Sequence, residues 1–224
     1  MKLDIKRAFL LPFSGYDWLP RLIVLSVLSF SAIDYDYKLY SFIILVPLWS
    51  LLLGYLSQFM HNEINNIYPS LPSWKLDILR YFRYGFICSI GILIYFIISC
   101  FFILPIGVLA KMIHNNYLEY LYNFMNQIGS TIFIIVPCLY SDNFKFKDIL
   151  NFPLLRKFIF NAKLEFFISL SIYLILHQII DVFFFTKKII FIKTILISII
   201  LAITFLIVFN LFAQTYKLSK QIMK

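Results

Sequence analysis

Charge is what this sequence has least of. Only 14% of its 224 residues are Asp, Glu, Lys or Arg, whereas a soluble domain carries about 25%. Such low charge with long apolar runs excludes a disordered chain or a secreted disulfide scaffold. Three cysteines, Cys88, Cys100 and Cys138, fall in apolar stretches without C-x-x-C spacing, which argues against a disulfide framework or redox chemistry. His61, His114 and His177 are too far apart in sequence to form a ligand pair at helical spacing, and no zinc site is readable. There is no G-x-S-x-G, P-loop, H-E-x-x-H or paired-carboxylate motif, so neither an enzyme activity nor a cofactor is expected.

What fills the chain is apolar: 62% hydrophobic residues, 20% aromatic. A membrane span needs about 20 mostly apolar residues. Six stretches meet or approach that length, at 16–33, 40–60, 84–110, 121–140, 164–185 and 189–213. The first is the weakest, since Asp17 and Arg21 sit in its opening turn; at i, i+4 they can pair at the interface while Arg21 snorkels. A cleaved signal peptide is disfavoured, because the apolar run begins late, after Pro12 and Pro20.

Sidedness follows from the basic residues. Of the 20 Lys and Arg, 15 fall on the side that would hold both termini and the second and fourth connections, and five on the other. The expected fold is therefore an all-α polytopic bundle: six spans as three hairpins, both termini cytoplasmic, in the cell membrane. The net charge of +9 is then mainly a topology signal; nucleic acid is not expected as a partner, because no solvated basic domain is present. Thr186-Lys187-Lys188 barely suffices to turn, so the last two spans should form a tight hairpin.

The cytoplasmic connections carry their own pattern. Trp74, Ile78, Tyr81 and Phe82 recur at helical spacing, with Lys75, Arg80 and Arg83 largely off that face, after Pro72 and a Ser73 N-cap. Residues 143–157 read similarly, with Phe146, Ile149, Leu150 and Pro153 on one side and Lys147, Arg156 and Lys157 available to the surface. Both describe interfacial helices with basic residues toward anionic head groups, so membrane lipid is the first expected partner and another membrane protein the second. The pattern repeats. Lys2-Leu3-Asp4-Ile5-Lys6-Arg7-Ala8-Phe9 matches Lys75-Leu76-Asp77-Ile78-Leu79-Arg80-Tyr81-Phe82 at six of eight positions, and Asp148-Ile149 echoes both. One integral domain, 1–224, built of units 1–70, 71–141 and 142–224, is the expected organisation.

Gly54-Tyr55, then Leu71-Pro72-Ser73-Trp74, then an amphipathic segment and Tyr84-Gly85 form a pattern that resembles the prokaryotic Domain of Unknown Function 4013 family. Pro12-Phe13 with Asp17-Trp18 is similar to that family's opening, and Gln214-x-Tyr216 to its close, although Ala213 stands where the family has Gly and Lys75 where an acid is usual. The resemblance implies an integral membrane protein with no assigned activity.

Ionisable groups inside a membrane are costly, so each is a functional candidate. His177 and Asp181 share a face at i, i+4; Asn123, Asn126, Gln127 and Ser130 form a stripe on the preceding span; and Lys193 lies within reach of Asp181 in the expected hairpin. Together they describe either a polar pocket, as in a carrier of a small or lipidic substrate, or a set of interhelical hydrogen bonds and ion pairs. The second reading is favoured, because Asp181 is close to its span's end. Pro47, Pro105 and Pro137 lie inside expected spans and should kink or interrupt them. Trp18, Tyr35, Tyr37, Tyr40, Trp74, Tyr117 and Tyr120 near the boundaries read as interfacial anchors. The leading functional reading is a non-enzymatic structural or interaction module with a basic face formed by Lys75, Arg80, Arg83, Arg156 and Lys157; the alternative is a transporter using the polar pocket.

Overall fold

A computed structural model describes residues 2–15, 17–29, 39–68, 71–73, 78–113, 116–184 and 191–222, with side chains omitted at 39–45, 110–111, 116, 119, 128, 181–184 and 191–194. The described residues form ten α-helices and one short 3-10 turn, with no strand among them: α1 Ile5–Leu10, α2 Trp18–Ser29, α3 Leu39–Ile64, α4 Ile78–Ile113, α5 Asn116–Ser130, α6 Ile132–Ser141, α7 Phe146–Ile149, α8 Phe152–Asn161, α9 Lys163–Phe184 and α10 Phe191–Ile222.

Local chemistry sets the short helices. Asp4 caps α1 by accepting the Arg7 backbone N–H at 2.8 Å, and Pro12 then tightens the chain into the 3-10 turn Leu11–Phe13. Asn151 caps α8, accepting the Leu154 N–H at 3.1 Å, with Pro153 just inside the helix, where its missing donor costs nothing. Gly129-Ser130-Thr131 divides α5 from α6: all three are weak helix formers, and the Ser130 hydroxyl turns back onto the Gln127 carbonyl.

Four candidate membrane-spanning segments occur among the described residues: Ile78–Leu109, Tyr120–Ser141 across the α5–α6 junction, Lys163–Ile180 and Ile195–Ile222. Six were expected. The described part of α2, Trp18–Ser29, has 12 residues, about 18 Å of helix, and the rest of the expected first span, residues 30–33, lies outside the described residues. The helix α3 is 26 residues long, but its first turns lie outside the described side chains. The helical run continues through Pro47 in α3 and Pro105 in α4. A second difference concerns the expected interfacial helix from Trp74. Its described part is the first turns of α4, because nothing between Ile78 and Ile113 breaks the helix, and residues 74–77 lie outside the description.

At the centre stands α10. Most of its span is buried, and α2, α3, α6, α8 and α9 all pack on it. By contrast α4 and α9 are mostly exposed over their spans, leaving rows of Leu, Ile and Phe outward, among them Leu93, Phe101, Leu104, Phe167 and Ile175. A helix apolar all round with most of that surface exposed needs a nonpolar medium.

The tightest contact joins α3 to α4. Ser50, Gly54 and Ser57 meet Tyr81, Gly85 and Cys88, with Ser57 Oγ 3.2 Å from Cys88 Sγ. Small residues at these spacings let two backbones approach where no side chain would fit. Beside the crossing the Tyr55 hydroxyl donates to the Pro72 carbonyl (3.2 Å) and the Tyr81 hydroxyl to the Ser73 carbonyl (2.8 Å), while the two rings meet edge to face at 5.8 Å. The residues Gly54-Tyr55, Leu71-Pro72-Ser73 and Gly85 thus converge on one packing site.

Candidate functional site at the polar end of the bundle

The ends of α1, α3, α6 and α10 meet around a buried polar network. The face of α10 that carries Asn210, Gln214 and Lys217 faces inward. Gln214 Oε1 accepts the Asp4 N–H at 2.7 Å while its Nε2 donates to Asn210 Oδ1 at 2.6 Å and to the Asp4 carbonyl at 3.3 Å, so one amide fixes α1 to α10. One turn on, Lys217 Nζ donates to Asn66 Oδ1 and reaches the Glu63 carbonyl at 3.5 Å. Glu63, its side chain only 2% exposed, takes Arg7 Nη2 at 2.8 Å. Asp142, just after α6, receives Lys220 Nζ at 2.6 Å and the Tyr216 hydroxyl at 3.3 Å. His61 Nδ1 lies 2.7 Å from the Ser141 carbonyl, and its ring packs on Phe144, which stacks on Tyr84 at 4.0 Å. Buried charges persist only when paired and hydrogen-bonded, and Glu63 and Asp142 are both.

None of Glu63, Asp142, Asn210, Gln214 and Lys217 stood out in the sequence as a site. In one dimension Glu63, Asp142 and Lys217 are ordinary flanking charges. The i, i+4, i+7 spacing of Asn210, Gln214 and Lys217 on an otherwise apolar helix was the available signal.

Of the expected basic face, Arg80 and Arg83 are exposed in the first turns of α4, and Arg156 and Lys157 are exposed on α8. Arg156 lies over the Phe160 ring at 5.9 Å; α8 is held to the end of α10 by the Ser219 hydroxyl on the Lys157 carbonyl at 3.0 Å. Lys75 lies outside the described residues. In the expected 143–157 segment Ile149 is fully buried, its carbonyl accepting the Tyr95 hydroxyl at 2.7 Å. Phe146, Leu150 and Pro153 are exposed, so only part of that apolar face packs on the bundle.

The expected polar pocket is described in part. Asn123 and Asn126 are exposed, Gln127 is half-buried, and the Ser130 hydroxyl lies 2.7 Å from the Tyr173 hydroxyl across the α5–α9 gap. Tyr173 meets the His177 ring edge-on at 5.8 Å. Asp181 and Lys193 have no described side chain, and the expected turn at residues 186–188 also lies outside the description. Ser130 and Tyr173 therefore make a helix-to-helix hydrogen bond. Among the described residues no group of three or more His, Cys, Asp or Glu is placed to hold a metal ion.

Comparison with protein-family models, with curated proteins and with solved structures finds no match for this chain.

Proposed function

We propose that this chain is a six-span membrane protein with both termini in the cytoplasm, acting as a non-enzymatic structural or interaction module, and that its resemblance to the Domain of Unknown Function 4013 family reflects common architecture. Its basic cytoplasmic end binds anionic lipid or a partner membrane protein. The observation that carries this reading is the gathering of charge at one end. Arg7, Glu63, Asp142, Lys217 and Lys220 lock that end together from within, while Arg80, Arg83, Arg156 and Lys157 stay exposed around it. A locked scaffold with an outward cationic rim is suited to holding a surface, because juxtamembrane Lys and Arg are each worth about 1 kcal/mol against an anionic leaflet. The Ser130–Tyr173 bond supports reading the intramembrane stripe as a contact between helices.

The test replaces Lys75, Arg80, Arg83, Arg156 and Lys157 together by Gln. Protein purified in native-membrane nanodiscs should then lose anionic lipid and any co-purifying membrane protein. Unchanged lipid and protein content would contradict the proposal.

A further inference from the structure

Between α1, the start of α2 and the stretch after α3 lies a cleft of about 690 Å3, lined by Lys6, Arg7, Leu10, Asp17, Arg21 and Tyr68 among others. Its charged groups are not equally committed. Arg7 is held by Glu63 and lies over the Tyr68 ring at 5.7 Å; Asp4 is engaged in capping α1. Lys6 is exposed and forms no ion pair among the described residues. Arg21 reaches Asp17 at 2.7 Å through Nη2, but its buried Nε has no hydrogen-bond partner among the described residues. Asp17 is itself 54% exposed and so a weak competitor for that guanidinium.

The rest of the cleft is greasy. Leu10, Leu11 and Leu71 line it, Leu10 and Tyr68 are largely exposed at its edge, and Phe13 and Val24 continue an exposed apolar surface beside it, Val24 one turn along α2 from Arg21. A free inorganic anion would use the cations and leave this apolar lining idle. An anion joined to hydrocarbon uses both.

We propose that the cleft holds the headgroup of an anionic phospholipid, with Lys6 and Arg21 on the phosphate and Leu10 and Val24 beside the first acyl carbons. The inference rests on the membrane-spanning part of the functional proposal and adds a defined lipid site distinct from the diffuse basic rim.

The experiment uses the full chain in phosphatidylcholine nanodiscs doped with phosphatidylglycerol, with retained phosphatidylglycerol counted by native mass spectrometry. Lys6→Gln should lower occupancy about fivefold, the contribution of one basic residue at an anionic surface. Asp17→Asn should raise it, because the competitor for Arg21 is removed. Lys6 and Asp17 are both solvent-accessible, but Asp17→Asn leaves the largely buried Arg21 without its ion pair, so each variant is first checked for unchanged thermal unfolding by helical circular dichroism; Lys6→Gln/Arg21→Gln should empty the site. Unchanged occupancy in both Lys6→Gln and Asp17→Asn overturns the proposal, as does displacement of the lipid by added inorganic phosphate. The variant with Arg80, Arg83, Arg156 and Lys157 all changed to Gln separates the two claims, since it should strip loosely held lipid and leave the cleft lipid in place. Lipid lost from that variant alone sinks the cleft and leaves the basic rim standing; lipid lost from the Lys6 variant alone does the opposite.

Discussion

Gly54 of α3 and Gly85 of α4 sit at a crossing too close for either to carry a methyl group. A Cβ on Gly54 would lie 1.7 Å from the Tyr81 carbonyl oxygen, and one on Gly85 would lie 1.6 Å from that of Ser50. The obstruction is backbone in both cases, so no rotamer change relieves it, and the helices must separate.

Gly54→Ala and Gly85→Ala should each destabilise the protein by at least about 3 kcal/mol, at or beyond the upper end for overpacking. Gly129→Ala is the control: among the described residues its Cβ would meet Ile103 Cδ1 alone, at 3.4 Å, and the added helix propensity is worth up to about 1 kcal/mol. Thermal unfolding in mild detergent, followed by helical circular dichroism, checks the contrast. Equal melting of all three variants would refute the close-crossing account.

The Arg7–Glu63 pair at 2.8 Å joins a partly exposed cation to a buried carboxylate. Arg7→Gln strands that carboxylate, and a loss of about 2 kcal/mol is expected once the solvent around Arg7 is allowed for. Arg7→Gln/Glu63→Gln should recover part of it, because no unpaired charge remains. A double-mutant cycle on the same unfolding transition measures the coupling, and strict additivity would contradict a direct pair.

The Ser130–Tyr173 hydrogen bond gives a third expectation. Ser130→Ala and Tyr173→Phe should each cost about 0.6 kcal/mol, the usual worth of such a bond between membrane helices, and the double variant no more than the larger single loss. Unfolding measurements decide it; additive losses would mean the two hydroxyls act separately.

Much of the fold can be read in one dimension because hydropathy is a local property. The stretches at 84–110 and 164–185 reappear in α4 and α9, and the 189–213 stretch in α10. What could not be read depends on packing. That α10 runs on to Ile222 is settled by the buried partners of Gln214, Lys217 and Ser219, which in sequence resemble a basic tail. The continuity of α4 through Arg83 and Tyr84 escaped because amphipathic and fully apolar stretches share one helical period and differ only in surroundings. Gly54-Tyr55 and Tyr84-Gly85 stood out as motifs, but only the fold shows the two glycines in contact. The candidate site divided similarly. Arg80, Arg83, Arg156 and Lys157 were legible as surface charges, whereas the network of Glu63, Asp142 and Lys217 was not, because a buried charge and a solvated one look alike in sequence.

The central claim, a membrane-embedded bundle with both termini and the basic rim on the cytoplasmic face, is tested most directly by sided cysteine labelling. In a background with Cys88, Cys100 and Cys138 changed to Ser, single variants Lys2→Cys, Arg80→Cys, Lys157→Cys and Lys220→Cys are compared with Lys38→Cys and Lys187→Cys, using a membrane-impermeant maleimide on intact cells and on inside-out vesicles. The first four should label only in inside-out vesicles and the last two only on intact cells. Labelling of Arg80→Cys and Lys157→Cys on opposite sides, or extraction of the protein from membranes by alkaline carbonate, would contradict it.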